Sequence, residues 1–234
     1  ADFKLITTMD RFHFNPNIQY DNGGASIKFG YQKVKRDFLS DYPFKTEAEN
    51  TQLEVFNKYA FGTRFYTVVG ALFQNNYATY EGSQPTSQTD VFANLVAVLS
   101  ERSRINVGGR LNGHSTYGSN FTYSINPSYQ LIQTSRNSLK LLGALSSAYI
   151  APSLYQLYDP YSGNSELKPE ENQSAELGLV YNTSDWELST NYFYRKENPS
   201  LIYDLSTYRY ENTNANTQYN GVEAQISGSI NKKL

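Results

Sequence analysis

Apolar and polar residues alternate with a period of two along most of this chain. Ile27, Phe29 and Tyr31 interleave with Lys28, Gly30 and Gln32. Ile105, Val107, Gly109 and Leu111 interleave with Asn106, Gly108, Arg110 and Asn112. Trp186, Leu188, Thr190, Tyr192 and Tyr194 face away from Glu187, Ser189 and Asn191. Val222, Ala224, Ile226 and Ile230 oppose Glu223, Gln225, Ser227 and Ser229. Successive strand side chains point to opposite faces, so each segment predicts a strand with one apolar and one polar face. No long stretch carries convincing helical spacing. The pattern predicts an all-β chain of about ten or eleven antiparallel strands, near 11–21, 25–38, 50–61, 64–76, 89–100, 104–115, 121–132, 138–149, 173–182, 185–203 and 208–230.

The breaks between these strands alternate in length. Short ones fall at Asn22-Gly23-Gly24, Gly62-Thr63, Glu101-Arg102-Ser103, Thr134 to Asn137 and Asn182-Thr183-Ser184. Longer ones fall at 39–49, 77–88, 116–120, 150–172 and, briefly, 204–207. A soluble sandwich has no reason to sort its connections by parity. An outer-membrane barrel has short periplasmic turns and longer extracellular loops. The reading is therefore an antiparallel transmembrane β-barrel, with outward Trp186, Leu188, Tyr192, Val222, Ala224 and Ile226 meeting lipid, and Glu187, Asn191, Glu223 and Gln225 facing the lumen.

Composition agrees. The 234 residues include 21 Tyr and 13 Phe against a single Met. Barrels carry aromatic girdles at both interfaces. Mean hydropathy is -0.59, as expected when only alternate residues of each crossing strand meet lipid. A net charge of -2 does not suit a nucleic-acid partner. The absence of Cys removes disulfides and thiolate chemistry together.

The stretch from Leu139 to Glu223 carries five elements in order. Ser146 to Tyr158 is a Ser/Tyr-rich strand running into Ala151-Pro152-Ser153-Leu154 and an aromatic loop. Gly163-Asn164-Ser165-Glu166-Leu167-Lys168-Pro169-Glu170 follows, then Glu176-Leu177-Gly178, Tyr192-Phe193-Tyr194 and Asn220-Gly221-Val222-Glu223. At this order and spacing the chain resembles the TonB-dependent outer-membrane receptor family. The pairing of Tyr149-Ile150-Ala151-Pro152-Ser153-Leu154 with Gln156-Leu157-Tyr158 is most similar to the vitamin B12 (cobalamin) receptors of that family.

The resemblance implies bacterial outer-membrane import of a scarce, bulky nutrient. Cobalamin leads, and siderophore, haem and glycan receptors share the same motifs. It implies a partial barrel, the middle-to-late part of a receptor whose plug, TonB-binding segment and closing strands lie outside residues 1–234. Asn231-Lys232-Lys233-Leu234 reads as a turn leading onward. The expected partners are the nutrient, outer-membrane lipid and the TonB complex, reached through that outside N-terminal segment. No cofactor is expected. Ligand contact is assigned to the extracellular loop at Tyr155, Tyr158, Asp159, Tyr161 and Asn164. Its tyrosines, with Tyr149, suit stacking on a large ligand, and equally anchoring of the outer rim.

Chemistry of other kinds finds little support. The two histidines, His13 and His114, are far apart and lack an orienting partner in sequence, so no catalytic residue is assigned. No His/Asp/Glu set shows metal-ligand spacing. Glu166, Glu170 and Glu171 around Lys168-Pro169 read first as a rigid turn re-entering the barrel, and otherwise as a polar latch at its mouth or a substrate contact. The rival readings are a complete small porin-like or structural barrel and an outer-membrane hydrolase.

Overall fold

The computed structural model describes residues 3–213 and 216–229. Most strands pair with their neighbours in sequence, as the alternating pattern and short turns require. β1 (Lys4–Phe14) and β2 (Asn17–Tyr20) lie end to end along β3 (Gly23–Leu39). The break falls at Asn15-Pro16. Proline lacks the N–H a ladder needs and is confined to edges and bulges, and here its carbonyl still accepts from Ile27 N at 3.1 Å. The sheet continues antiparallel through β4 (Phe44–Phe61), β5 (Phe65–Ala78), β6 (Thr86–Val98), β7 (Ser103–His114), β8 (Gly118–Gln133), β9 (Ser138–Ile150), β10 (Glu170–Asn182) and β11 (Trp186–Glu197). A separate hairpin of β12 (Leu201–Asp204) and β13 (Arg209–Asn212) follows, and β14 (Thr217–Gly228) then pairs with β11.

The main path therefore holds eleven strands, with β2 alongside, matching the expected ten or eleven. Among the described residues β1 pairs only with β3 and β14 only with β11, so the wall is partial. The strand alternation puts the turns after β2, β4, β6, β8 and β10 at one end. The loops after β3, β5, β7, β9 and β11 lie at the other. Asn22 closes the first short turn with φ +63°, and Gly62 takes φ +73° in the next, a backbone region that favours glycine.

Several boundaries differ from the sequence reading. The first strand begins at Lys4 rather than near residue 11. The break at 39–49 shrinks to residues 40–43, because β3 and β4 pair as far as Phe38 and Phe44. The segments 185–203 and 208–230 are not two plain strands, since the separate β12–β13 hairpin stands between β11 and β14. Ile230 and the turn at 231–234 lie outside the described residues.

The two faces separate as the alternation dictates. Val69, Val91, Leu111 and Phe121 are exposed on the outer side of β5 to β8, with Val91 at mid-strand, and Trp186, Leu188, Tyr192, Val222 and Ile226 are exposed along β11 and β14. Glu176, Asn191, Glu223 and Gln225 line the concave side, where Asn191 donates to Glu176 at 2.9 Å. Toward the long-loop end, the outer face of β3 and β4 changes character. Phe29, Tyr31 and Leu53 give way to Lys33, Lys35, Lys45, Asp37, Glu47 and Glu49. Lys33 bridges Glu47 and, at 2.7 Å, Glu49, while Lys45 stands 3.6 Å from Asp37.

Candidate functional site

The long loop after β9 does not trail into solvent. Ser153 caps a short helix, α1 (Leu154–Tyr158), in a reciprocal arrangement: its hydroxyl accepts from Gln156 N at 3.2 Å, and Gln156 Oε1 accepts from Ser153 N at 2.9 Å. Leu157 and Leu167 are buried beneath the loop. Asp159 closes the next turn, accepting from Tyr161 N at 3.2 Å and from Ser162 N and Oγ at 3.0 and 2.7 Å. Gly163 then passes so close that a Cβ would stand 2.6 Å from Asp159 backbone atoms.

That loop is stitched to the β12–β13 hairpin. Arg209 donates to the Gly163 carbonyl from Nε and Nη2 at 3.1 and 2.6 Å. Asn164 Nδ2 donates to Tyr210 O at 3.0 Å, and Tyr210 N donates to Ser162 O at 2.9 Å. Asn212 exchanges two bonds with the Lys168 backbone, at 2.7 and 2.9 Å. Glu170 accepts from Leu201 N at 3.1 Å and lies 3.8 Å from Arg195, while Glu171 accepts from Asn120 at 3.0 Å. Both carboxylates behind Pro169 therefore fasten neighbouring elements, which favours the latch reading over a bare turn. On the other side, Tyr117, in the turn after β7, donates to the Leu167 carbonyl at 3.1 Å. Burial, with Tyr149 and Tyr158 nearby, pushes its phenol up to about 12.

Aromatic rings join these loops from above. Tyr80 (after β5), Tyr155 (on α1), Tyr210 and Tyr203 (in the hairpin) form a series of edge-on contacts, with centroids 6.2, 6.0 and 5.3 Å apart. Burial first, then the Asp159 carboxylate, raises the Tyr80 phenol above its ordinary value. The Tyr210 phenol is raised first by burial and then by Tyr155, Tyr203 and Asp159. Both rings keep their hydroxyl protons.

The five residues expected to touch ligand thus fall into two groups. Tyr155 is half exposed in the ring series, and Tyr161 is 77% exposed at the surface of the loop. Asp159 bonds within the loop through Oδ2, and Asn164 divides its carboxamide between Glu166 N and the hairpin's Tyr210 carbonyl. Tyr158, at the end of α1, is partly covered. Sequence reading missed the wall opposite. α1 overhangs a cavity of about 640 Å³ bounded by the upper inner faces of β3 to β6, with Gln32, Asn50, Gln74, Asn76 and Gln88 on those strands and His114 at the end of β7. Tyr80, Tyr149 and Tyr155 also border it. His114 Nδ1 accepts from Thr116 N at 3.1 Å, which makes it a rim residue built into its turn. Among the described residues, no group of three His, Asp or Glu side chains is placed to hold a metal ion.

Comparison with known proteins agrees with this architecture. The model of the TonB dependent receptor-like β-barrel family matches residues 3–232. The vitamin B12 transporter BtuB of Vibrio cholerae is 34% identical over 139 residues, covering 58% of this chain and 22% of that protein. A probable TonB-dependent siderophore receptor, PirA of Acinetobacter baumannii, is 26% identical over 141 residues, covering 51% and 18%. Among solved structures, the siderophore receptor PirA from Pseudomonas aeruginosa aligns with a TM-score of 0.80 at 19% identity, over 94% of this chain and 44% of that one. The copper transporter OprC aligns at 0.69 and 16%, over 98% and 44%. At such identities the structural likeness speaks for the fold alone. The chain spans about a fifth of the length of the curated relatives it matches. With its family model matched over nearly the whole length and an eleven-strand meander to carry it, the chain belongs to the TonB-dependent receptor β-barrels of the bacterial outer membrane.

Proposed function

We propose that this chain is the middle-to-late barrel wall and part of the capture apparatus of a receptor that imports cobalamin by TonB-dependent active transport. The observation that carries the receptor reading is the stitched platform of α1, the 151–169 loop and the β12–β13 hairpin, held over a concave polar wall. A pore lining needs no such overhang. Capture of a bulky solute benefits from one, because a preformed concave site loses less ordering entropy on binding. Cobalamin is favoured by the identity shared with BtuB.

In this reading Tyr155 and Tyr161 touch the ligand, with Tyr158 at the edge. Asp159 and Asn164 act by fixing the loop that presents them. A plug and a TonB-binding segment outside residues 1–234 complete the transporter, and closing strands complete the barrel. The residues here do binding and positioning rather than chemistry.

The test is calorimetric titration of the intact receptor in detergent with cyanocobalamin, followed by uptake into energised cells. Saturable binding, with uptake that collapses when the proton gradient is discharged, is the expected result. Saturable binding of a ferric siderophore with none of cyanocobalamin would replace the ligand. Passive, non-saturable solute flux would replace the receptor reading with a pore.

A further inference from the structure

The upper wall beneath α1 has an unusual composition. Gln32 (β3), Asn50 (β4), Gln74 and Asn76 (β5) and Gln88 (β6) place five carboxamides on four adjacent strands of one cavity. They are lateral neighbours through the ladder: Gln32 pairs with Asn50, Asn50 with Asn76, and Gln74 with Gln88. Asn50 and Gln74 both donate to Asn76 Oδ1, at 2.7 and 3.1 Å. Arg11 donates to Gln32 Oε1 at 2.8 Å. Gln88 Nε2 donates to both Asp90 oxygens, at 3.1 and 2.9 Å. Each of these bonds uses one end of a carboxamide that carries both donors and an acceptor.

The carboxylates around this wall are already committed. Asp90, below it, is fully buried and lies 3.3 Å from Arg110. Glu49, whose carboxylate turns to the outer face, is paired there with Lys33. Arg36 lines the wall, and Arg11 reaches it at Gln32. Opposite the carboxamides stand the rings of Tyr80 and Tyr155, and the Tyr149 hydroxyl is buried without a hydrogen-bond partner.

We infer that the wall formed by Gln32, Asn50, Gln74, Asn76 and Gln88, roofed by Tyr80 and Tyr155, binds a neutral ligand rich in amide or hydroxyl groups. The chemistry selects this class. Carboxamides answer donors and acceptors alike, and aromatic rings cover the flat or weakly polar faces of such a molecule. A trianionic ferric catecholate entering the same space would lose hydration and meet two cations, Arg11 and Arg36, for three negative charges, so part of its charge would go uncompensated. The inference rests on the receptor reading, but it does not require that the ligand be cobalamin.

The test uses the intact receptor in detergent and three probes: cyanocobalamin, the neutral oligosaccharide maltoheptaose, and ferric enterobactin. The variants are Gln74→Leu, Asn76→Leu and Gln32→Leu. The last leaves the Asn50–Asn76–Gln74 chain intact and guards against a general loss of structure, with far-UV circular dichroism and heat-modifiable mobility as folding controls. A neutral probe should bind, and each folded variant should weaken it about tenfold, the scale of one lost hydrogen bond. Binding of maltoheptaose alone, with the same sensitivity, overturns the cobalamin assignment and keeps the wall. Binding of cyanocobalamin that all three folded variants leave unchanged keeps cobalamin and overturns the wall. Binding of ferric enterobactin in preference to both neutral probes, or no binding of either neutral probe, also overturns it.

Discussion

The ring of Tyr155 stands edge-on to that of Tyr80, with centroids 6.2 Å apart and planes inclined at 66°. The two residues sit on loops separated by four strands, so this contact carries α1 across the mouth of the wall. Edge-to-face pairs of this kind contribute roughly 0.5–1.5 kcal/mol beyond their buried area. Tyr155→Ala should therefore weaken ligand capture and also loosen the loop. Tyr80→Phe keeps the ring contact and should do neither to a similar degree. Limited proteolysis between residues 151 and 169, measured beside ligand affinity, separates the two effects. Equal loss in both variants would mean the hydroxyl rather than the ring is what counts.

Arg209 grips the Gly163 carbonyl through two nitrogens, and Asn212 exchanges paired bonds with Lys168. Arg209→Ala should release the β12–β13 hairpin from the 151–169 loop while leaving the membrane strands intact. The expected readout is faster amide exchange over residues 198–213 with an unchanged melting temperature of the barrel. A global drop in stability would contradict this local role.

Tyr117 provides a test by pH. Its phenol is pushed up to about 12, first by burial and then by Tyr149 and Tyr158, from an ordinary value of 10.0. The unfolded loop loses that proton at lower pH than the folded one. The stabilisation from neutral Tyr117 is therefore complete below pH 10 and is lost as pH rises toward 12. Loop opening, followed by proteolysis or exchange, should increase through that alkaline window. Tyr117→Phe should remove one late-titrating phenol from the ultraviolet titration and flatten this pH dependence.

Val91, at mid-strand on the outer face, is 52% exposed. Val91→Arg should destabilise the folded receptor by roughly 2–4 kcal/mol, the cost of a cation at the bilayer midplane. Leu188 lies close above the turn between β10 and β11, so Leu188→Arg should cost only about 0–1 kcal/mol, as at an interface. Gln225→Arg, on the lumen side, should be mild. Chemical denaturation in lipid vesicles gives the ranking, and equal costs at Val91 and Gln225 would reject the assignment of faces.

The strands were legible because each needs only local information: alternation, and a turn at either end. Residues 4–10 were missed because Thr7, Thr8 and Asp10 blur the alternation there, and pairing with β3 supplies what the pattern lacks. The β12–β13 hairpin was missed for a related reason. Tyr203 and Tyr210 look like continuing strand, yet they pair with each other rather than with β11 or β14. The loop residues Tyr155 and Tyr161 were visible as an aromatic cluster. The carboxamide wall was not, since Gln32 and Gln88 are joined only by the register of four strands. A signal did exist in the even-numbered Gln and Asn positions of β3 to β6, each on the polar face of its own alternation.

The switch from Phe29 and Tyr31 to Lys33 and Lys35 on the outer face of β3 is a waterline. Hydrocarbon does not tolerate such a band, so the bilayer stops below it. β3 runs on to Leu39 and β4 begins at Phe44, and at the usual tilt these tops stand roughly 15 Å clear of the hydrophobic layer. The space under α1 therefore opens above the hydrophobic layer, where, on the proposed reading, a solute arrives before it has entered the membrane at all. Below it lies the full apolar height of the barrel, roughly 25 Å. If the chain captures solute as proposed, arrival and passage are separate journeys, and such a receptor can be filled at its porch while its corridor stays shut.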